Sequence, residues 1–134
     1  MKTKEERLQI VNKIIEEIAS RGRRFFYSST TERISKFVLE GNKKKRLYFI
    51  DKYTGKKINP YPRNYAKDRN FSEGGTLWAL MHDFREFIIT GNYSNGKHGY
   101  GGLYCPNWGY PEEDMQAIRQ LAMGLGYLNK ACVA

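Results

Sequence analysis

Residues 33–51 read RISKFVLEGNKKKRLYFID: two runs rich in β-branched and aromatic residues, joined by the short polar link GNKK. Such runs favour extended backbone, and a link of that length suits a hairpin. Upstream, RRFFYS at 23–28 has the same character and reaches the pair through a second short link, STTE. The three runs predict an antiparallel meander. Downstream, YTGKK at 53–57 reads as a turn in which Gly55 supplies a positive φ, leading into a short fourth strand at Ile58. Alternation within 45–51 puts Leu47 and Phe49 on one face of the sheet and Arg46, Tyr48 and Ile50 on the other.

Helical patterns lie on both sides of the strands. Thr3 and Glu6 form a T-x-x-E capping box, and Leu8, Val11, Ile14, Ile15 and Ile18 then recur at helical spacing, which predicts a helix over 4–20. In FSEGGTLWALMHDFREFIITG, residues 71–91, Leu77, Leu80, Met81, Phe84 and Ile88 share a face, Ser72 or Thr76 can cap the start, and Gly91 suits the end. A helix over 75–90 is expected there. Pro111, the favoured first helical position, precedes Glu112, Glu113 and Asp114, acids suited to the positive end of a helix dipole. Met115, Ile118, Leu121, Ala122 and Leu125 then make a buried face, with Gly126 as the stop, predicting a helix over 111–125.

Strands followed by helices imply an α+β fold: an antiparallel sheet of three or four strands packed on one face by about three helices. A chain of 134 residues fits a single domain, 1–134, able to bury a core without disulfides or metal. Residues 59–70 hold two prolines and little apolar periodicity and read as an exposed loop. Residues 92–110 carry five glycines among four tyrosines and a tryptophan, a shaped loop whose aromatic rings need somewhere to dock. The N-terminus lacks the apolar core of a signal peptide and no run approaches a membrane span, so a cytosolic protein is expected. Cys105 and Cys132 have no metal-finger spacing and are expected as reduced thiols, with no metal and no cofactor.

The formal charge is +9, and its distribution is uneven. Residues 1–70 hold 19 Lys and Arg against 8 Asp and Glu, whereas residues 71–134 hold 4 against 6. A one-sided positive field attracts polyanions, most often nucleic acid, and by the same physics an acidic protein.

The segments RFFYS, LYFIDKYTGKKI, FSEGGTL and NWGYPEEDMQAIRQLAMGLGYL resemble those of a family of small uncharacterised proteins carried by bacteriophages and plasmids. The shared features are the aromatic strand, the D-x-Y-T-G-K turn and the G-G-T-L helix start, and the resemblance covers about residues 24–128. It implies a mobile-element protein acting in the cytoplasm of a bacterial host, and it brings no settled activity with it. Where the related form reads FSHGGTL this chain has Glu73, which argues against a general base at that position.

Several constellations could carry chemistry. Cys105 with His98 or His82 supplies the ingredients of a nucleophile and its base, but no surrounding signature fixes a base beside the thiol, and the plainer reading is a small buried cysteine beside Pro106. His82, Asp83 and Glu86 are equally well read as the edge and wet side of a helix. Ser72, Gly74, Gly75 and Thr76 at the start of the second helix could hold an anion on free backbone amides. The G-K-[ST] ending of a P-loop is absent, and a tight turn with a helix cap is the commoner use of such glycines.

The basic first half is the strongest signal. Lys43, Lys44, Lys45 and Arg46 stand beside Tyr48, and Lys52, Tyr53, Lys56 and Lys57 follow in the next turn. Arg23 precedes the first strand, and Arg63, Lys67 and Arg69 populate the proline-containing loop. Cations beside exposed aromatic rings are how proteins hold nucleic acid, phosphates on Lys and Arg and bases on the rings. Against this, lysine-rich edges also keep sheets from pairing with one another, and tyrosines also complete cores. The expected function is a non-enzymatic protein binding DNA or RNA through its basic sheet and loops. The alternative is a protein inhibitor or regulator of a host defence or replication factor, an acidic partner among them, with Tyr93, Tyr100, Tyr104, Trp108 and Tyr110 and the acidic start of the third helix as the contact surface. A small nuclease or transferase is the third class.

Overall fold

The computed structural model describes residues 2–21, 25–41, 43, 45–60, 71, 75–91, 103 and 109–128, and for Gly75 and Thr76 the backbone alone. The order is α1 (Lys4–Ser20), β1 (Tyr27–Ser28), β2 (Arg33–Ile34), β3 (Lys36–Glu40), β4 (Arg46–Ile50), β5 (Lys57–Ile58), α2 (Gly75–Thr90) and α3 (Glu112–Leu125). Three helices with antiparallel strands make the α+β class expected from the sequence.

The strands form two sheets, a β1-β2 ribbon and a β3-β4-β5 sheet, where the sequence predicted one meander. Two local features divide them. Phe26 adopts a left-handed backbone, φ 60°, with its ring buried in the core, and lies outside the strand that begins at Tyr27. Of the described residues in the strand expected over 23–28, Tyr27 and Ser28 form β1 and Phe25 and Phe26 do not. Ser35 then interrupts the run 33–40, its amide donating to the Phe26 carbonyl (2.9 Å) and its hydroxyl accepting from the Lys52 amide (2.9 Å). The short strand into Ile58 is present as β5.

Helix α1 is the centre of the packing, in contact with α2, α3 and β3. Its capping box forms in both directions: the Glu6 amide donates to Thr3 Oγ1 (3.1 Å) and the Thr3 amide to Glu6 Oε1 (3.0 Å). Ile10, Val11, Ile14, Ile15 and Ile18 are buried against the inner sheet face, which carries Phe37, Leu47, Phe49 and Ile58. Phe37 meets Phe84 of α2 edge-on at 6.4 Å, and Phe49 meets Phe71, which meets Trp78. Burying each such ring contributes about 1.5–3 kcal/mol. Beyond α3, Tyr127 packs on Phe84 and Phe87 and ties the end of the described chain to α2.

Two backbone details bear on the sequence reading. Pro111 is the N-cap of α3, its ψ of 148° keeping it outside the helix, so the first helical residue is Glu112. Gly126 ends that helix in the left-handed conformation expected of it, φ 89°. The edge of β3 is closed by one side chain of α1. Asn12 donates to the Phe37 carbonyl (3.0 Å) and accepts from the Phe37 amide (2.8 Å), taking both groups that Phe37 would offer a neighbouring strand.

Candidate nucleic-acid interface

The D-x-Y-T-G-K turn is built around the buried carboxylate of Asp51, whose Oδ2 accepts from the amides of Tyr53 (3.0 Å) and Thr54 (3.2 Å). The Gly55 amide donates to the Asp51 carbonyl (2.8 Å), and the Asp51 amide to the Lys56 carbonyl (3.3 Å). Gly55 sits at φ +68°, and a Cβ there would lie 2.6 Å from the Arg33 guanidinium. The backbone angle requires glycine, whereas the Arg33 guanidinium, at the far end of a flexible exposed side chain, could move aside. Thr31 Oγ1 donates to the Lys52 carbonyl (2.7 Å), fastening the β1-β2 link to the same turn. Arg33, exposed Lys56 and the Tyr53 ring, 58% exposed, therefore gather at one end of the sheet.

Lys52 departs from the expectation of a nucleic-acid contact. It is 6% exposed, and burial pushes its pKa down to about 8 against the opposing pull of the Asp51 carboxylate. Alternation would have turned it outward, but the turn breaks the alternation at Asp51 and draws the side chain in.

The pairing register defines the outer face of the three-stranded sheet. Lys36, Ile50 and Lys57 form one row, Val38 and Tyr48 the next, Glu40 and Arg46 the third. Lys36, Glu40, Arg46 and Lys57 are exposed, while Val38, Tyr48 and Ile50 are half-buried. The Lys57 ammonium lies 5.6 Å from the centre of the Tyr48 ring and also pairs with Glu40. At the β3-β4 tip Lys43 is exposed, and Lys45 reaches Glu5 of α1 at 3.0 Å, the hydrogen bond holding the Glu5 carboxyl below its ordinary range. The outermost rows are four residues apart, about 13 Å. Cations thus stand at both ends of an apolar strip centred on Tyr48.

Arg33 and Lys36 were not singled out in the sequence. Lys36 has a signal in the alternation of its own run, where Phe37 and Leu39 are apolar and Lys36 and Glu40 charged; the observed link is five residues, 41–45, not the four of GNKK, and it sets 36, 38 and 40 on the same face as 46, 48 and 50. Arg33 gives no such signal, since its place beside Gly55 depends on how the two links pack.

Other candidates fall differently. Arg23, Lys44, Arg63, Lys67 and Arg69 lie outside the described residues, as do Ser72 and Gly74, while the backbone of Gly75 and Thr76 forms the first turn of α2. Tyr93, Tyr100, Tyr104, Trp108, His98, Cys105 and Cys132 also lie outside. Tyr110 is turned inward: its hydroxyl donates to the Ile18 carbonyl (2.8 Å) and accepts from the Phe25 amide (3.2 Å), and its ring stacks on Phe25 at 5.2 Å. Two of the three acids opening α3 are also engaged within the chain, Asp114 with Arg21 at 2.9 Å and Glu112 with Arg119 at 3.1 Å. Arg119 also donates to the carbonyl of buried Leu103 (2.8 Å), which fixes one point of the loop 92–110 against α3. His82 meets the Trp78 ring edge-on at 5.0 Å. Among the described residues no helix is long and apolar enough to cross a membrane, and no three His, Cys, Asp or Glu are grouped to hold a metal ion.

Comparison with known proteins places these features in context. The family model described as YoqU matches residues 2–133. The SPbeta prophage-derived uncharacterized protein YoqU of Bacillus subtilis (strain 168) is 38% identical over 123 residues, covering 92% of this chain and 83% of that protein. No solved structure matches the chain.

Proposed function

The chain belongs to the YoqU family, and from that premise we propose that it is a small non-enzymatic nucleic-acid-binding protein of a prophage or related mobile element, acting in the bacterial cytoplasm. The observation that carries this reading is the gathering of Lys36, Arg46 and Lys57 with half-buried Tyr48 on the outer sheet face, between exposed Lys43 at one end and Arg33, Lys56 and exposed Tyr53 at the other. The formal charge of +9 supplies the long-range attraction, and the exposed cations supply the contacts. Ion pairs of Lys45 with Glu5 and of Lys57 with Glu40 are surface pairs worth less than about 1 kcal/mol, so phosphates can displace the carboxylates.

Binding of short oligonucleotides measured across a salt series tests the reading. Neutralising Lys43, Lys44, Lys45 and Arg46 together is expected to weaken binding at every sequence and to flatten the log-log salt slope by about 0.7–0.9 per lost phosphate contact. Failure of the parent to bind any oligonucleotide at low salt refutes the function. If the parent binds and the quadruple variant binds equally well with the same slope, the surface is wrong. A host protein partner then becomes the better reading.

A further inference from the structure

The outer sheet face orders its apolar and charged residues in rows, and that order discriminates between kinds of nucleic acid. Val38 and Tyr48, both half-buried, make the middle row, which half-buried Ile50 extends into the next. The cations flank the middle row, Arg46 opposite Glu40 on one side of Tyr48 and Lys36 with Lys57 on the other. A duplex offers a flat face only its sugar-phosphate backbone, which would set charged phosphates against the apolar strip and strand the cations at its margins.

The opposite face of the sheet is covered by α1, which leaves the outer face to meet nucleic acid.

We propose, on the basis of the nucleic-acid reading above, that this face takes single-stranded nucleic acid, with a base stacked on the Tyr48 ring and the flanking phosphates held by Arg46 on one side and Lys36 and Lys57 on the other. Only an unpaired strand can turn its bases to the apolar strip while its phosphates run to the ends. The position of Lys57 fits this role. In the free protein its ammonium lies over the Tyr48 ring and is held by Glu40, so the platform is covered by a side chain that a phosphate can draw aside. The incoming base then replaces one weak contact of the ring with a larger one.

The test compares a single-stranded oligonucleotide with its blunt duplex of equal length, using the full chain and Tyr48→Leu and Tyr48→Trp variants whose folding is checked by circular dichroism. The parent is expected to bind the single strand at least ten-fold more tightly than the duplex. Tyr48→Leu is expected to weaken single-strand binding about five-fold or more, the equivalent of the ~1 kcal/mol lower bound for one stacked base, and to leave duplex binding unchanged. Tyr48→Trp keeps a ring of larger area, and its fluorescence above that of the parent is expected to be quenched by the single strand and not by the duplex. That measurement stands if the leucine variant fails to fold. Equal affinity for the two forms, equal weakening of both, or an added indole fluorescence indifferent to the single strand overturns the inference and leaves the basic-surface reading intact. Absence of binding to either form removes both.

Discussion

Replacing Lys52 with methionine is expected to stabilise the protein at neutral pH, and the gain should vanish as the pH rises. Lys52 is 6% exposed, and burial lowers its pKa from 10.5 to about 8 against the pull of Asp51. The folded value lies below the unfolded one, so below pH 8 both states carry the charge and the fold bears the whole cost of burying it. Between pH 8 and 10.5 the unfolded chain holds a proton that the folded chain has released, and stability rises with pH. At 1.36 kcal/mol per pKa unit the window is worth about 3 kcal/mol at most. Methionine keeps the unbranched stem and discards the charge. Its advantage at pH 7 should be about 1–3 kcal/mol, because Asp51 loses a neighbouring cation while keeping the Tyr53 and Thr54 amides. Urea unfolding of parent and variant at pH 7 and at pH 10.5 measures this, and other groups titrating in that range cancel in the difference. Two parallel stability curves, or a variant less stable at pH 7, would refute the argument.

Asn12→Ala leaves the Phe37 amide and carbonyl without their side-chain partner and is expected to cost about 1–3 kcal/mol in urea unfolding. Tyr110→Phe keeps the stack on Phe25 but deletes a hydroxyl that serves both Ile18 and Phe25, with an expected cost of about 1–2 kcal/mol and no loss of oligonucleotide binding. Glu40→Gln releases Lys57 and removes an exposed negative charge, so oligonucleotide titration should show about two- to five-fold tighter binding.

Legibility in the sequence followed the range of the forces involved. The capping box at Thr3 and Glu6, the inward face of α2 and the alternation of Leu47 and Phe49 against Arg46 and Tyr48 are all local patterns, and each appears where the residues predict. Phe26 could not be read this way. Its left-handed backbone is held by the burial of its ring and by the Ser35 amide nine residues on, so local β preference was overridden by packing. The break at Ser35 depends on the Lys52 amide, and the inward turn of Lys52 on the turn that the Asp51 carboxylate organises by holding the Tyr53 and Thr54 amides. The candidate surface was legible in charge and incomplete in place: Lys36 follows from register, Arg33 from tertiary contact alone, and Tyr110 proved to be a strut between α1 and the start of β1.

The amide of Asn12 does more than close an edge. Along a strand, backbone groups point alternately to one side and the other, so the pair that Asn12 engages at Phe37 recurs only at every second residue. If β3 slid by one position, the carboxamide would meet a residue whose amide and carbonyl face β4, and Phe37 would move to the solvent side. Helix α1 therefore acts as a key that fits only one phase of the strand. An out-of-phase pairing of β3 with β4 would forfeit both Asn12 hydrogen bonds as well as the burial of Phe37.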